Sequence, residues 1–147
     1  NEIAKLAIAS LKDGRKMYSS YDVGKQLDRQ RGYLALDNFD YESLFSTTFG
    51  MNKADRIATF DSGSTHAMTL TAVDLDKDGN PLKWKVENSW GASNGVGGCF
   101  IMTNDWFNEY MFRLVVNNEY VPAELLKEYE QKPLMVMPED PLFGEDM

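Results

Sequence analysis

The 147-residue chain has one cysteine, Cys99, and one histidine, His66. A single thiol excludes an internal disulfide, and one Cys with one His cannot furnish the ligands of a structural zinc site. Positive charge is also scarce: 15 Lys and Arg stand against 23 Asp and Glu, for a net charge of −8. So acidic a chain is not drawn to a phosphate backbone, which excludes nucleic acid as an expected partner. No run approaches the ~20 apolar residues of a membrane-spanning helix, which excludes a membrane partner of that kind. There are no internal repeats. The first residue is Asn1, and nothing like a leader follows, so the chain is expected to have been cut from a longer one.

What is present is ordinary for a globular domain, with 43% hydrophobic and 26% charged residues. Ile3, Leu6, Ala7, Ser10 and Leu11 follow helical spacing and predict a helix over 3–11, ended by Asp13-Gly14. Residues 16–21 read as a strand. Asp40 is placed to cap a short helix through Phe45, and the rest of 22–64 reads as a long loop. Residues 65–73 and 82–88 read as two strands of a β-hairpin about the turn-forming Asp76–Pro81, with His66, Met68, Leu70 and Ala72 on one face. On the second strand Leu82, Trp84, Val86 and Asn88 point inward. A glycine-rich loop spans 91–98. A strand over Cys99–Thr103, a short helix through Tyr110 with Asn104-Asp105 placed to cap it, a strand over 112–116 and a helix from Pro122 to about Gln131 follow. Three prolines and four acids without a base mark 133–147 as an extended arm, separate from a unit over 1–132.

The hairpin brings two polar side chains together. With a three- or five-residue turn, His66 and Asn88 share a face. With the turn centred on Lys77 they are directly opposite, ~5 Å apart at Cβ, and a bulge at Gly79 offsets them by one diagonal step. A four-residue turn separates them. An amide oxygen that accepts from one imidazole N–H fixes the tautomer and aims the other nitrogen outward, which is the orienting half of a nucleophile–base–orienter set. A half-buried structural histidine beside a turn asparagine fits the same pattern.

The residues around the pair carry a resemblance. Thr65-His66-Ala67 and Asn88-Ser89-Trp90-Gly91 resemble the His and Asn-Ser-Trp-Gly elements of papain-like cysteine peptidases. Asp22-Val23-Gly24-Lys25, Met51–Arg56, Trp84–Gly91 and Asp105-Trp106-Phe107 narrow the resemblance to the bleomycin hydrolase/aminopeptidase C branch, over about Ser10 to Pro141. The resemblance implies an α+β, papain-like fold, of which this chain is the β-rich carboxy-terminal half, with an antiparallel sheet and short flanking helices. It implies that His66 is the general base, Asn88 its orienting partner and Trp90 the aromatic that shields their hydrogen bond. The nucleophilic cysteine and the oxyanion-hole glutamine are then expected upstream, and Cys99 is expected to pack. The activity implied is cysteine-type aminopeptidase action by the complete protein, with this portion inactive alone and no cofactor or metal implied. The implied partners are peptide substrates, the upstream half of the same protein and, as a homo-oligomer, five further copies in a hexamer; the implied location is cytoplasmic. The arm is implied to enter the active-site cleft and present its terminal carboxylate to the substrate's α-amino group, although Gly144-Glu145-Asp146-Met147 departs from the small apolar ending of relatives. A non-catalytic papain-like or assembly module is the alternative, and an endopeptidase requires the arm to be absent or disordered.

Two further patterns are weaker. Asp74–Gly79 begins like a calcium loop, but Lys85 stands where a bidentate Glu is required, so a polar turn is expected. The eight methionines are scattered and read as core filling.

Overall fold

The computed structural model describes residues 2–141, so the ending Gly144–Met147 lies outside the described residues. Chain order runs α1 (Glu2–Lys12), β1 (Met17–Tyr21), β2 (Leu27–Asp28), β3 (Tyr33–Leu34), α2 (Tyr41–Phe45), α3 (Lys53–Ala58), β4 (His66–Leu75) and β5 (Pro81–Glu87). It continues with β6 (Cys99–Thr103), α4 (Asn104–Tyr110), β7 (Met111–Leu114) and α5 (Ala123–Tyr129). The strands form one seven-stranded sheet in the order β2-β3-β6-β5-β4-β1-β7. All pairings are antiparallel except β3 with β6, which is parallel.

The core lies on one face of the central strands. Trp84, Val86, Leu70, Phe100 and Met102 from the sheet meet Trp106 and Phe107 from α4, all essentially without solvent exposure. Trp84 stacks on Phe107 at 4.4 Å and 17°, and its Nε1 donates to Asn104 Oδ1 at 3.1 Å. The N-cap of α4 is Thr103, whose hydroxyl accepts from Trp106 N, and not the expected Asn104-Asp105. Asn104 is thereby released to hold the indole of Trp84.

At the start of the chain, α1 buries Ala7 and Ser10 and packs Leu11 as its spacing suggests, but the face is rotated to take in Ala4 in place of Ile3. Ala4, Ala7 and Ser10 are buried, Ile8 and Leu11 pack at the margin, and Ile3 is exposed. α1 packs against β4, and Ala4 and Ala7 belong to the buried core cluster. Pro122 is the N-cap of α5 and not its first helical residue. Of the methionines, Met17, Met68, Met102 and Met111 are buried, whereas Met51, Met135 and Met137 are exposed, so core filling accounts for only part of the set.

The hairpin departs from its expected pattern at two places. Leu75 pairs with Pro81 but Asp74 with Lys83, which leaves Leu82 as an extra residue in β5. Ala72 pairs with Lys85 but Leu70 with Val86, which leaves Thr71 as an extra residue in β4, its hydroxyl donating to Lys85 O at 3.1 Å. Each bulge reverses the alternation of its strand. Leu82 is consequently 48% exposed, and Ala72 is exposed while Val73 turns toward the core. The two bulges lie on opposite strands, so their effects on register cancel before the open end of the hairpin. The turn itself is made by Asp76, whose carboxylate accepts from Asp78 N, Asn80 N and Asn80 Nδ2 at 2.8–3.0 Å. The side chain of Asn80 foremost, then its backbone N–H, holds that carboxyl below its ordinary range. The carboxylate is thus committed to the turn.

One loop packs too closely to admit a side chain. Gly95 has φ +61, and a Cβ there would collide with Cys99 O and the Phe100 ring; Gly14, at φ +74, has open space. Gly95→Ala is therefore expected to cost more than the ~1 kcal/mol of an αL alanine, reaching about 2–3 kcal/mol, and Gly14→Ala only about 1 kcal/mol. Urea unfolding of the complete protein checks this; equal losses would show that the close approach is unimportant.

Candidate active site

His66 opens β4 and Asn88 follows β5, so both lie at one end of the central strands. On the other side of β4, Tyr21 of β1 pairs with His66. Extension of the Leu70↔Val86 and Thr69↔Glu87 register sets Asn88 opposite Met68, one diagonal step from His66 on the same face. The two residues are thus diagonal and not directly opposite, because the turn enclosed by the Leu75↔Pro81 pair centres on Asp78 and not on Lys77, and the two bulges cancel. The diagonal is bridged: His66 Nε2–H donates to Asn88 Oδ1 at 2.8 Å. The tautomer that makes this bond leaves Nδ1 as the other functional nitrogen of the ring.

Asn88 is held from several sides. Its N–H donates to Gly98 O at 2.9 Å, and its Oδ1 also accepts from Ser89 N at 2.8 Å. Its Nδ2 is buried with no hydrogen-bond acceptor among the described residues. Trp90 covers the pair, with its ring 4.7 Å from the His66 ring and 33° from parallel. The indole is backed edge-on by Phe100 at 5.7 Å and 70°. Such a cover removes water from around the imidazole–amide bond, which strengthens it. A depression of about 380 Å³ includes Tyr18, Ala67, Thr69, Glu87, Asn88 and Ser89 in its lining. It approaches Asn88 from the reverse face, and His66 does not line it.

The segment before His66 is stapled to β1. Thr65 N and Oγ1 both donate to Tyr21 O, at 3.0 and 3.2 Å, and Val23 N donates to Thr65 Oγ1 at 3.0 Å. Ser62 Oγ donates to Asp22 Oδ2 at 2.8 Å. Asp22 is buried, and desolvation raises its carboxyl above the ordinary 3.8, opposed in part by the Ser62 bond. A carboxyl raised on folding costs stability above its folded pKa and costs nothing below its unfolded value. Asp22→Asn keeps an acceptor for Ser62 and removes the charge. Its stability relative to the parent is therefore expected to improve as pH rises from about 4 toward 7, as urea titrations at both ends of that range would show. A relative stability that falls with pH would contradict the assignment.

The other sequence candidates fall elsewhere. Cys99 starts β6 on the face opposite its buried neighbour Phe100, as strand alternation requires, so it stands apart from the imidazole. The Met51–Arg56 motif builds most of α3, where the sequence predicts loop. Asn52 caps α3 by accepting from Asp55 N, a cap signal that the sequence carried. Lys53 Nζ donates to Asn108 O and Met111 O at the end of α4, and burial lowers its pKa. Arg56 pairs with Glu109. This motif anchors α3 to α4 and does not touch His66. Sequence reasoning also missed β2 and β3, each of two residues, and Arg29 in the turn between them. The Arg29 guanidinium lies 4.7 Å over Trp90, and its Nε donates to Asn94 Oδ1 at 2.7 Å.

Comparison with known proteins agrees with this architecture. The model of the peptidase C1-like family matches residues 1–143. Aminopeptidase C of Lactococcus lactis is 42% identical over 138 residues, covering 94% of this chain and 32% of the relative. Human bleomycin hydrolase is 41% identical over 143 residues, covering 95% of this chain and 31% of the relative. The crystal structure of PepW from Lactobacillus rhamnosis HN001 superposes with a TM-score of 0.89 at 43% identity, over 95% of this chain and 32% of that one. The chain therefore spans about a third of the length of these relatives. With a papain-like α+β fold and a family match over nearly its whole length, this chain belongs to the peptidase C1-like family, in the branch of aminopeptidase C and bleomycin hydrolase.

Proposed function

We propose that this chain is the carboxy-terminal part of a cysteine-type aminopeptidase, and that it supplies the His66–Asn88 half of a Cys-His-Asn triad. The observation that carries the reading is the 2.8 Å bond from His66 Nε2–H to Asn88 Oδ1 beneath Trp90, in a chain of this family. In the proposed mechanism the thiolate of a cysteine outside this chain attacks the scissile carbonyl carbon. As the C–N bond breaks, protonated His66 Nδ1 gives its proton to the departing amine. Neutral Nδ1 then takes a proton from water, whose oxygen attacks the thioester and releases the thiolate. Asn88 holds the ring without adding charge, so it leaves the thiolate–imidazolium pair intact.

Two features support completion of the site by further protein. Asn88 Nδ2 is buried without an acceptor among the described residues. Neither α2 nor α3 buries a residue, and Leu36, Phe39, Tyr41, Phe45 and Phe49 are exposed near a groove of about 830 Å³. Aromatic surface on this scale is unusual for a domain that stands alone. A hexameric assembly belongs to the same reading. So does an arm that gates the cleft: residues 131–139 carry no helix or strand and are exposed.

The test uses the complete protein and an aminoacyl-coumarin substrate. Turnover abolished by iodoacetamide is expected, and truncation after Val136 is expected to admit N-acetylated substrates. Turnover insensitive to thiol alkylation, or none, would overturn the reading in favour of a non-catalytic module. An unchanged ratio of free to N-blocked turnover after truncation would remove the arm from the mechanism.

A further inference from the structure

Arg29 is an exposed arginine beside the candidate site, and neutral groups alone fix its position. Asn94 Oδ1 accepts from Nε at 2.7 Å, and the Trp90 indole lies 4.7 Å beneath the guanidinium carbon. Asn94 is itself tied to Trp90, whose carbonyl accepts from its Nδ2 at 2.6 Å. Among the described residues no carboxylate lies within 4.0 Å of Arg29, although acids outnumber bases by eight in the chain. Its neighbour Arg31 pairs with Asp28 at 3.7 Å, and Arg56 pairs with Glu109. Arg29 therefore presents the Nη1 and Nη2 end of a guanidinium, the geometry that grips a carboxylate with two parallel bonds, without a partner of opposite charge.

The indole that carries this guanidinium also carries the imidazole, at 4.7 Å between ring centroids. Both contacts share one ring, so the charge and His66 are separated by at most the two contacts end to end. That is the span of about three extended residues at ~3.4 Å each. His66 delivers a proton to the departing amine in the proposed mechanism, so the portion of substrate near its ring and Trp90 is the portion after the scissile bond.

We propose that Arg29, held on Trp90 and Asn94, is a carboxylate-binding subsite for the leaving-group side of the substrate. It favours peptides with a carboxylate within about three residues after the scissile bond. The inference rests on the peptidase reading of His66 and Asn88. Two sources offer that chemistry, an acidic side chain and a free carboxy terminus. Because the guanidinium is exposed, the preference is modest and screened by salt.

The experiment compares kcat/KM of the complete enzyme, at low ionic strength, on two substrate pairs. Leu-Glu-Ala-amide against Leu-Gln-Ala-amide tests the side chain, and Leu-Ala-Ala with a free against an amidated terminus tests the chain end. The unmodified enzyme is expected to favour the carboxylate by about three- to tenfold in at least one pair. Arg29→Gln is expected to bring that ratio near unity, and Arg29→Lys to retain part of it as a point charge. Any general effect of a loosened Trp90 acts on both members of a pair and cancels in the ratio. Arg31→Gln, which removes a nearby paired charge, is expected to leave the ratio unchanged. No preference in the unmodified enzyme, an equal ratio after Arg29→Gln, or an equal fall after Arg31→Gln would overturn the subsite while leaving the peptidase reading in place. Failure to cleave even the neutral peptides would overturn both.

Discussion

In the complete protein, His66→Ala is expected to lower kcat/KM by about a thousandfold or more, and Asn88→Ala by clearly less. The difference follows from the distinct work proposed for each group. Loss of the imidazole removes the partner that sustains the thiolate and both proton transfers, and no second histidine exists in this chain to replace it. Loss of the amide removes the acceptor at 2.8 Å but leaves Trp90 against the ring at 4.7 Å, so part of the orientation survives. Asn88→Asp should not restore full activity, because a carboxylate would compete with the thiolate for the imidazolium charge. Steady-state kinetics on an aminoacyl-coumarin decides the matter, with circular dichroism to show that the variants fold. Near-native turnover by His66→Ala would end the catalytic interpretation of the hairpin.

Trp84→Ala is expected to cost about 3–5 kcal/mol, a large share of the 5–15 kcal/mol that stabilises a typical domain. Trp84 has no solvent exposure, stacks on Phe107 at 4.4 Å and donates to Asn104 Oδ1. Its removal opens a cavity between β5 and α4 and strands a polar acceptor in the same place. Because β5 leads directly into Asn88, the loss should also disorder the candidate site. Leu82→Ala, two positions earlier on the same strand, is expected to change stability by no more than about 1 kcal/mol, since Leu82 is 48% exposed. Chemical denaturation of both variants of the complete protein tests the pair. Comparable losses would mean that Leu82 is buried by protein outside this chain.

The contrast between Trp84 and Leu82 shows where alternation stops being informative. Leu82, Trp84, Val86 and Asn88 form an unbroken period-two pattern, and sequence reasoning treats them alike. The bulge at Leu82 belongs to the pairing of two strands and leaves no mark on either strand taken alone. The same holds for α1, where Ala4 is buried and Ile3 exposed, a rotation of the packed face that helical spacing alone does not fix. Residues 22–64 were the least legible, since β2 and β3 have only two residues each and depend on neighbours for definition. α3 was missed as well, although Asn52 is a capping residue by type and accepts from Asp55 N.

By itself the sequence determined the hairpin, its polar turn at Asp76–Asn80 and the helix cap at Asp40, and it set His66 and Asn88 on one face for a three- or five-residue turn. These depend on local chemistry: turn formers, capping side chains and strand periodicity act between residues close in the chain. Only the tertiary structure decided that two bulges on opposite strands cancel, so that the diagonal pair meets at 2.8 Å. It alone placed Arg29 over Trp90, across 61 residues of chain, and Lys53 against the end of α4. Such contacts are set by the packing of strands and loops remote in sequence, where spacing along the chain carries no information about distance in space.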